Sequence, residues 1–142
     1  MTAIWPYESS PFSGVYAPYI WIVIKNATES KKYPREEECQ ALFDTGYDGY
    51  LAIPLSIFET LGLQTTEVPP EDIPIAQTLS GDFLQLRTAR GKIEVPILAF
   101  SKIIEIDTNP AFSEIIVGRS LLEDFILHLH GKKRELNLEI TP

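Results

Sequence analysis

With 142 residues and a 44% hydrophobic fraction, the chain is the size of one domain. It can bury ~68–70% of its unfolded surface, which excludes an intrinsically disordered segment and makes disulfides unnecessary. Its one cysteine, Cys39, has no bridging partner within the chain, as expected in a reducing compartment. The net charge of −8, with no basic run beyond Lys132-Lys133-Arg134, argues against nucleic acid as a partner and weakly favours basic partners or substrates. No apolar stretch approaches the ~20 residues that cross a bilayer, so no membrane partner is expected. Residues 1–8 lack a basic segment followed by an apolar one, so the expected location is the cytoplasm.

In chain order, residues 1–18 carry Pro6, Pro11 and Pro18 among aromatics, which predicts an extended arm with sticky side chains. The remainder, 19–142, reads as one domain. Tyr19–Asn26 is rich in β-branched and aromatic residues and predicts a strand. Residues 27–38 predict a polar loop, and Cys39–Phe43 a second, short apolar strand that stops at Asp44-Thr45-Gly46. Residues 54–63 predict a short helix: proline suits its first turn, Ile57, Phe58 and Leu61 recur at helical spacing, and Gly62 stops it. Residues 64–74 hold Pro69, Pro70 and Pro74 and predict a loop. From 75 to 106 the pattern is β, broken at Ser80-Gly81-Asp82 and at Ala89-Arg90-Gly91-Lys92, both with the composition of hairpin turns. A loop over 107–113, a strand over 115–117 and one or two helical turns over 120–125 follow. At the C-terminus Leu127 and Leu129 alternate with His128 and His130, and Leu136, Leu138 and Ile140 with Glu135, Asn137 and Glu139. This predicts a hairpin with one buried and one wet face. Many short strands with one or two short helices predict a mainly β, barrel-like fold.

Asp-Thr-Gly alone is an ordinary turn sequence. Here the strand before it places the carboxylate at a strand end, and Tyr47-Asp48-Gly49-Tyr50-Leu51 runs straight back into apolar sequence, so Asp44 is expected to sit beside the core. Peptide hydrolysis needs a base to activate water and an acid to protonate the leaving amine. Two carboxylates ~3 Å apart, sharing one proton, do both. The chain has a single such tripeptide, so a second would come from a second copy, which a two-fold axis supplies.

Ala41-Leu42-Phe43-Asp44-Thr45-Gly46 resembles the active-site segment of retropepsin-like aspartic proteases. Ile115-Ile116-Val117-Gly118-Arg119-Ser120-Leu121-Leu122 resembles that family's second signature, an apolar pair before Gly-Arg and a short helix. The run from Asp44 to Pro54 looks closest to the small single-domain bacterial and archaeal members, and the resemblance spans roughly residues 19–140. It implies a closed acid-protease barrel with one or two short helices, in a two-fold symmetric homodimer that cleaves peptide or protein substrates without a cofactor or metal. Asp44 would be the catalytic carboxylate, Thr45 would bond across the axis and Gly46 would line the cleft. Tyr47 and Asp48 would adjoin the substrate, and Thr78, Ser80, Gly81 and Asp82 would form a flap over it. The flap of viral members is glycine-rich and this one is not, so the Arg90-Gly91 turn competes for that role. Arg119 and Gly118 would support the site, Arg119 through a buried pair with Asp48. The rival implication is a dimer of the same fold that binds peptides or regulates without catalysis.

The remaining candidates have plainer explanations. His128 and His130 share a strand face but lack a third metal ligand. Cys39 fits a packed, half-buried thiol. Leu136, Leu138 and Ile140 are expected to glue the two copies together.

Overall fold

The computed structural model describes residues 1–11, 13–73, 75–77 and 80–141, the side chains of residues 76 and 77 excepted. The first part of the chain forms β1 (Thr2–Pro6), β2 (Glu8–Ser9), β3 (Tyr16–Ala17), β4 (Tyr19–Asn26), β5 (Lys32–Tyr33), β6 (Cys39–Phe43), β7 (Leu51–Pro54) and helix α1 (Leu55–Thr60). After two 3-10 turns come β8 (Ala76–Gln77), β9 (Phe83–Leu84), β10 (Arg87–Val95), a 3-10 turn at Pro96–Leu98, and β11 (Phe100–Asn109). The chain ends with β12 (Ile116–Val117), helix α2 (Arg119–Leu122), β13 (Phe125–His130) and β14 (Glu135–Ile140).

The strands β10, β11, β7, β12, β6 and β4 hydrogen-bond in that order, and β4 returns to β10, closing a barrel. The closure follows from the length and composition of β4. Its first half pairs with β6, from Tyr19↔Leu42 to Ile22↔Cys39, and its second half with β10, from Val23↔Glu94 to Asn26↔Gly91. A strand that bridges two neighbours in this way lies inside the sheet, and its Tyr19, Ile20, Ile22 and Ile24 are all buried. From α1 and the turn after it, Phe58, Leu61 and Leu63 join the same core. Each such side chain contributes roughly 1.5–3 kcal/mol by leaving water. Gly62 ends α1 in the left-handed conformation, φ 67°, as its composition predicts. No helix of the described residues is long and apolar enough to cross a membrane.

A second sheet, β1-β14-β13, packs on the barrel. The expected C-terminal hairpin is present, from Phe125↔Ile140 to His130↔Glu135, with His128 and His130 exposed. Its inner face already has a partner within the chain. Ala3 lies opposite Leu138 and Trp5 opposite Leu136, and all four are buried in the core. Leu136 and Leu138 are therefore not free to join two copies, contrary to expectation.

Two further expectations are overturned. Ala89-Arg90-Gly91-Lys92 is not a turn: it lies inside β10, paired without a break to β11 from Arg87↔Thr108 to Val95↔Phe100. Glycine stands there for close approach, since a Cβ on Gly91 would press on Ile106 Cδ1 and the Lys25 carbonyl. The chain reverses instead at Pro96–Leu98, ending on Ala99 in the left-handed region, φ 49°. The loop expected to start at 107 starts later, because β11 runs on to Asn109. Ile104, Ile106 and Thr108 point inward, and Glu105 and Asp107 face the other way.

Candidate active site

Strands β6 and β7 are joined by residues 44–50, and β12 inserts between them. It runs parallel to β6 (Ile116↔Leu42, Val117↔Phe43) and antiparallel to β7 (Ile116↔Ala52, Val117↔Leu51). The turn therefore passes directly over the end of β12, where Gly118 lies. Main-chain bonds fasten it there: Asp44 N to Val117 O at 3.0 Å, Gly118 N to Tyr50 O at 3.1 Å and Arg119 N to Tyr47 O at 2.9 Å. The Ser120 hydroxyl adds a bond to Asp48 O at 2.6 Å. This crossing leaves no room for a side chain at Gly118, since a Cβ would collide with the Gly49 carbonyl and with Tyr47. The two sequence signatures, at 44–46 and 115–122, are thus one structural unit.

Within the turn Asp44 is half-buried, and its Oδ1 accepts the Gly46 N–H at 2.8 Å. That bond orients the carboxylate. Thr45 and Gly46 are exposed. Arg119 forms the expected ion pair with Asp48, through Nη2 and Oδ1. The pair is not buried, however: the two side chains are 58% and 82% exposed in the single chain. Exposed to that degree, such a pair contributes only ~0–1 kcal/mol.

A cavity of about 490 Å³ opens beside the turn. Gly46, Tyr47, Asp48 and Gly49 line it from the turn, and Val68, Ile73, Ile75 and Leu86 add apolar surface. The Val68 N–H, bonded to Thr88 O at 2.7 Å, holds that segment against β10. Asp107 and Glu105, both on β11, also line the cavity. The Tyr47 hydroxyl donates to Asp107 Oδ2, and the buried Thr88 hydroxyl donates to Asp107 Oδ1 at 2.6 Å. Burial first, and then the negative charge of Asp107, push the Tyr47 phenol well above its ordinary pKa. Glycine at 49 makes room for this arrangement, because a Cβ there would displace the Tyr47 phenol from Asp107.

Strands β8 and β9 form a hairpin, Ala76↔Leu84 and Gln77↔Phe83, which lies where the resemblance places a flap. Ser80, Gly81 and Asp82 are in its turn and are exposed, with Gly81 left-handed at φ 91° and Ser80 Oγ bonded to Asp82 Oδ2 at 3.1 Å. These three do not line the cavity; Ile75, at the root of the hairpin, does. Thr78 lies outside the described residues. With Arg90-Gly91 inside a barrel strand, this is the hairpin that adjoins the cavity.

Sequence reasoning named Tyr47 and Asp48 but missed Asp107, Thr88 and Glu105. The available signal was the apolar alternation of Ile104 and Ile106, which continues through Thr108 and makes Asp107 a strand residue. Cys39 is the packed thiol expected: burial pushes it up to about 12, and its Sγ lies 3.6 Å from the Ile22 carbonyl.

No protein-family model matches the chain. It is 32% identical over 113 residues to an uncharacterised protein of Archaeoglobus fulgidus, covering 79% of this chain and 85% of that one. Among solved structures it is similar to a retropepsin-like aspartic protease from Rickettsia conorii, with a TM-score of 0.56 and 15% identity over 99% of this chain and 93% of that one. The chain belongs to one family with the archaeal protein, and its barrel has the fold of the retropepsin-like aspartic proteases.

Proposed function

We propose that the chain is one subunit of an aspartic endopeptidase, active as a homodimer in which the two copies of Asp44 activate water against a peptide bond. The observation that carries this is Asp44 itself: a carboxylate at the end of β6, tied by its main-chain N–H to Val117 and oriented by the Gly46 N–H, on the fold of an aspartic protease. One carboxylate takes a proton from water as the water oxygen bonds to the carbonyl carbon. The protonated partner then supplies the proton that leaves with the amine. A lone subunit has half of this pair, so the second copy is part of the site. In this reading Thr45, exposed next to Asp44, bonds to its counterpart across the two-fold axis, and the β8-β9 hairpin acts as the flap over the bound peptide.

The test is cleavage of an unfolded protein substrate by wild type and by Asp44→Asn. The amide cannot act as base and acid in turn, so the rate should fall about 10³-fold or more while the fold persists. Specific activity should also fall on dilution through the monomer–dimer range set by sedimentation, and the pH–rate curve should be bell-shaped. Undiminished cleavage by Asp44→Asn, or constant specific activity in the monomer range, would contradict the proposal.

A further inference from the structure

We propose that the cavity beside the turn is a subsite for a basic side chain, lysine or arginine, and that Asp107 is the specificity-determining residue that receives its charged head. The identity of the ligand as a peptide rests on the function proposed above; the chemistry of the subsite rests on the cavity itself.

Three features of the cavity fit such a side chain. The first is its mixed apolar and acidic lining. Val68, Ile73, Ile75 and Leu86 present hydrocarbon, and Asp107, with Asp48, Asp72 and Glu105, brings carboxylates to the same cavity. Lysine and arginine match both, with an aliphatic stem and a cationic end. The second is the fixed orientation of Asp107. Tyr47 and Thr88 each donate to a different carboxylate oxygen. A carboxylate has about four lone-pair sites, so these two bonds hold it in place and leave capacity for a ligand. Both donors are themselves held, Thr88 by burial in β10 and Tyr47 by the crossing over Gly118.

The third feature is the lack of a counter-cation. No lysine or arginine is among the described lining residues. The two nearby guanidinium groups are engaged elsewhere, Arg119 with Asp48 and Arg87 with Glu67 at 2.8 Å. An acidic rim in open water would need nothing further. Here the carboxylate is oriented within a concave, partly apolar wall next to the proposed catalytic turn, where an added cation gains charge-assisted bonds. The same field acts on Tyr47, whose phenol is raised in part by the charges of Asp107 and Glu105.

The experiment uses the full chain carrying Asp44→Asn, which prevents turnover, and matched peptides with lysine or norleucine at each position in turn. At one position lysine should bind about tenfold tighter or more. Adding Asp107→Asn should bring the two peptides to within about twofold, with norleucine binding unchanged. Equal affinities at every position, or a lysine preference that survives Asp107→Asn, would overturn the proposal. A second measurement does not depend on peptide binding or on that variant folding: n-butylammonium, but not n-butanol, should shift the carboxyl carbon resonance of Asp107 in the wild-type chain. A shift without any cleavage by wild type would leave the cation subsite standing and remove the protease. Cleavage with no shift and no lysine preference would do the reverse.

Discussion

On one side of the cavity, residues 44–50 are fastened main chain to main chain over β12, at distances that exclude a side chain from Gly118. On the other, the β8-β9 hairpin presents its turn residues and Phe83 to solvent, Phe83 being 70% exposed. At Gly118 the crossing is specified by what cannot be added to it, so enlarging that position costs folding energy. The hairpin's outward side chains have little to do with the stability of the barrel, and changes there should be felt by a bound ligand. A site that needs a carboxylate held in place and a cover that admits a chain molecule is served by this division.

The largest expected effect that would break this contrast is at Gly118. Gly118→Ala forces its Cβ into the Gly49 carbonyl and the Tyr47 backbone, neither of which is the free end of a flexible side chain. It should cost ~1–3 kcal/mol or more in denaturant unfolding. Unchanged stability would mean that the crossing is looser than described. An intermediate effect concerns Tyr47. Its phenol is raised in the folded chain, so its contribution to stability is complete below the ordinary value of 10.0 and is lost as pH rises through the folded value. Between about pH 9 and 11, wild type should lose stability more steeply than Tyr47→Phe. Parallel curves would indicate that Tyr47 ionises as a free phenol does. The smallest effect on stability is expected across the cavity. Phe83→Ser should change unfolding by no more than ~0.5 kcal/mol while raising KM for a peptide substrate. A large loss of stability would mean that Phe83 packs against the barrel and that the two regions are not built differently.

The elements legible in the sequence are those whose cause is local. Strand β4 is marked by its β-branched run, α1 by Pro54 and Gly62, and the C-terminal hairpin by alternation on both arms. The two signatures were legible through resemblance, and the structure supplies their physical content: a close approach at Gly118 that demands glycine and an Asx-type bond at Asp44. A glycine marks close contact but not what it contacts. Gly91 therefore has the composition of a turn, and only the pairing of β10 with both β4 and β11 shows it to be a strand residue.

The sequence by itself determined a mainly β chain and the half-buried thiol of Cys39, while the link between the Asp44 turn and the segment at Gly118 entered through resemblance. Periodicity, turn chemistry and steric need are properties of neighbouring residues, and they survive in one dimension. The tertiary structure alone decided which hydrophobic face was already covered. Leu136 and Leu138 pack against Trp5 and Ala3 from the far end of the chain. It also decided how wet the Asp48–Arg119 pair would be, and it brought Tyr47, Thr88 and Asp107 to one wall from three separate segments. Burial and electrostatic environment are set by whatever the rest of the chain places nearby, and nothing in the local sequence of Asp107 encodes a tyrosine 60 residues before it.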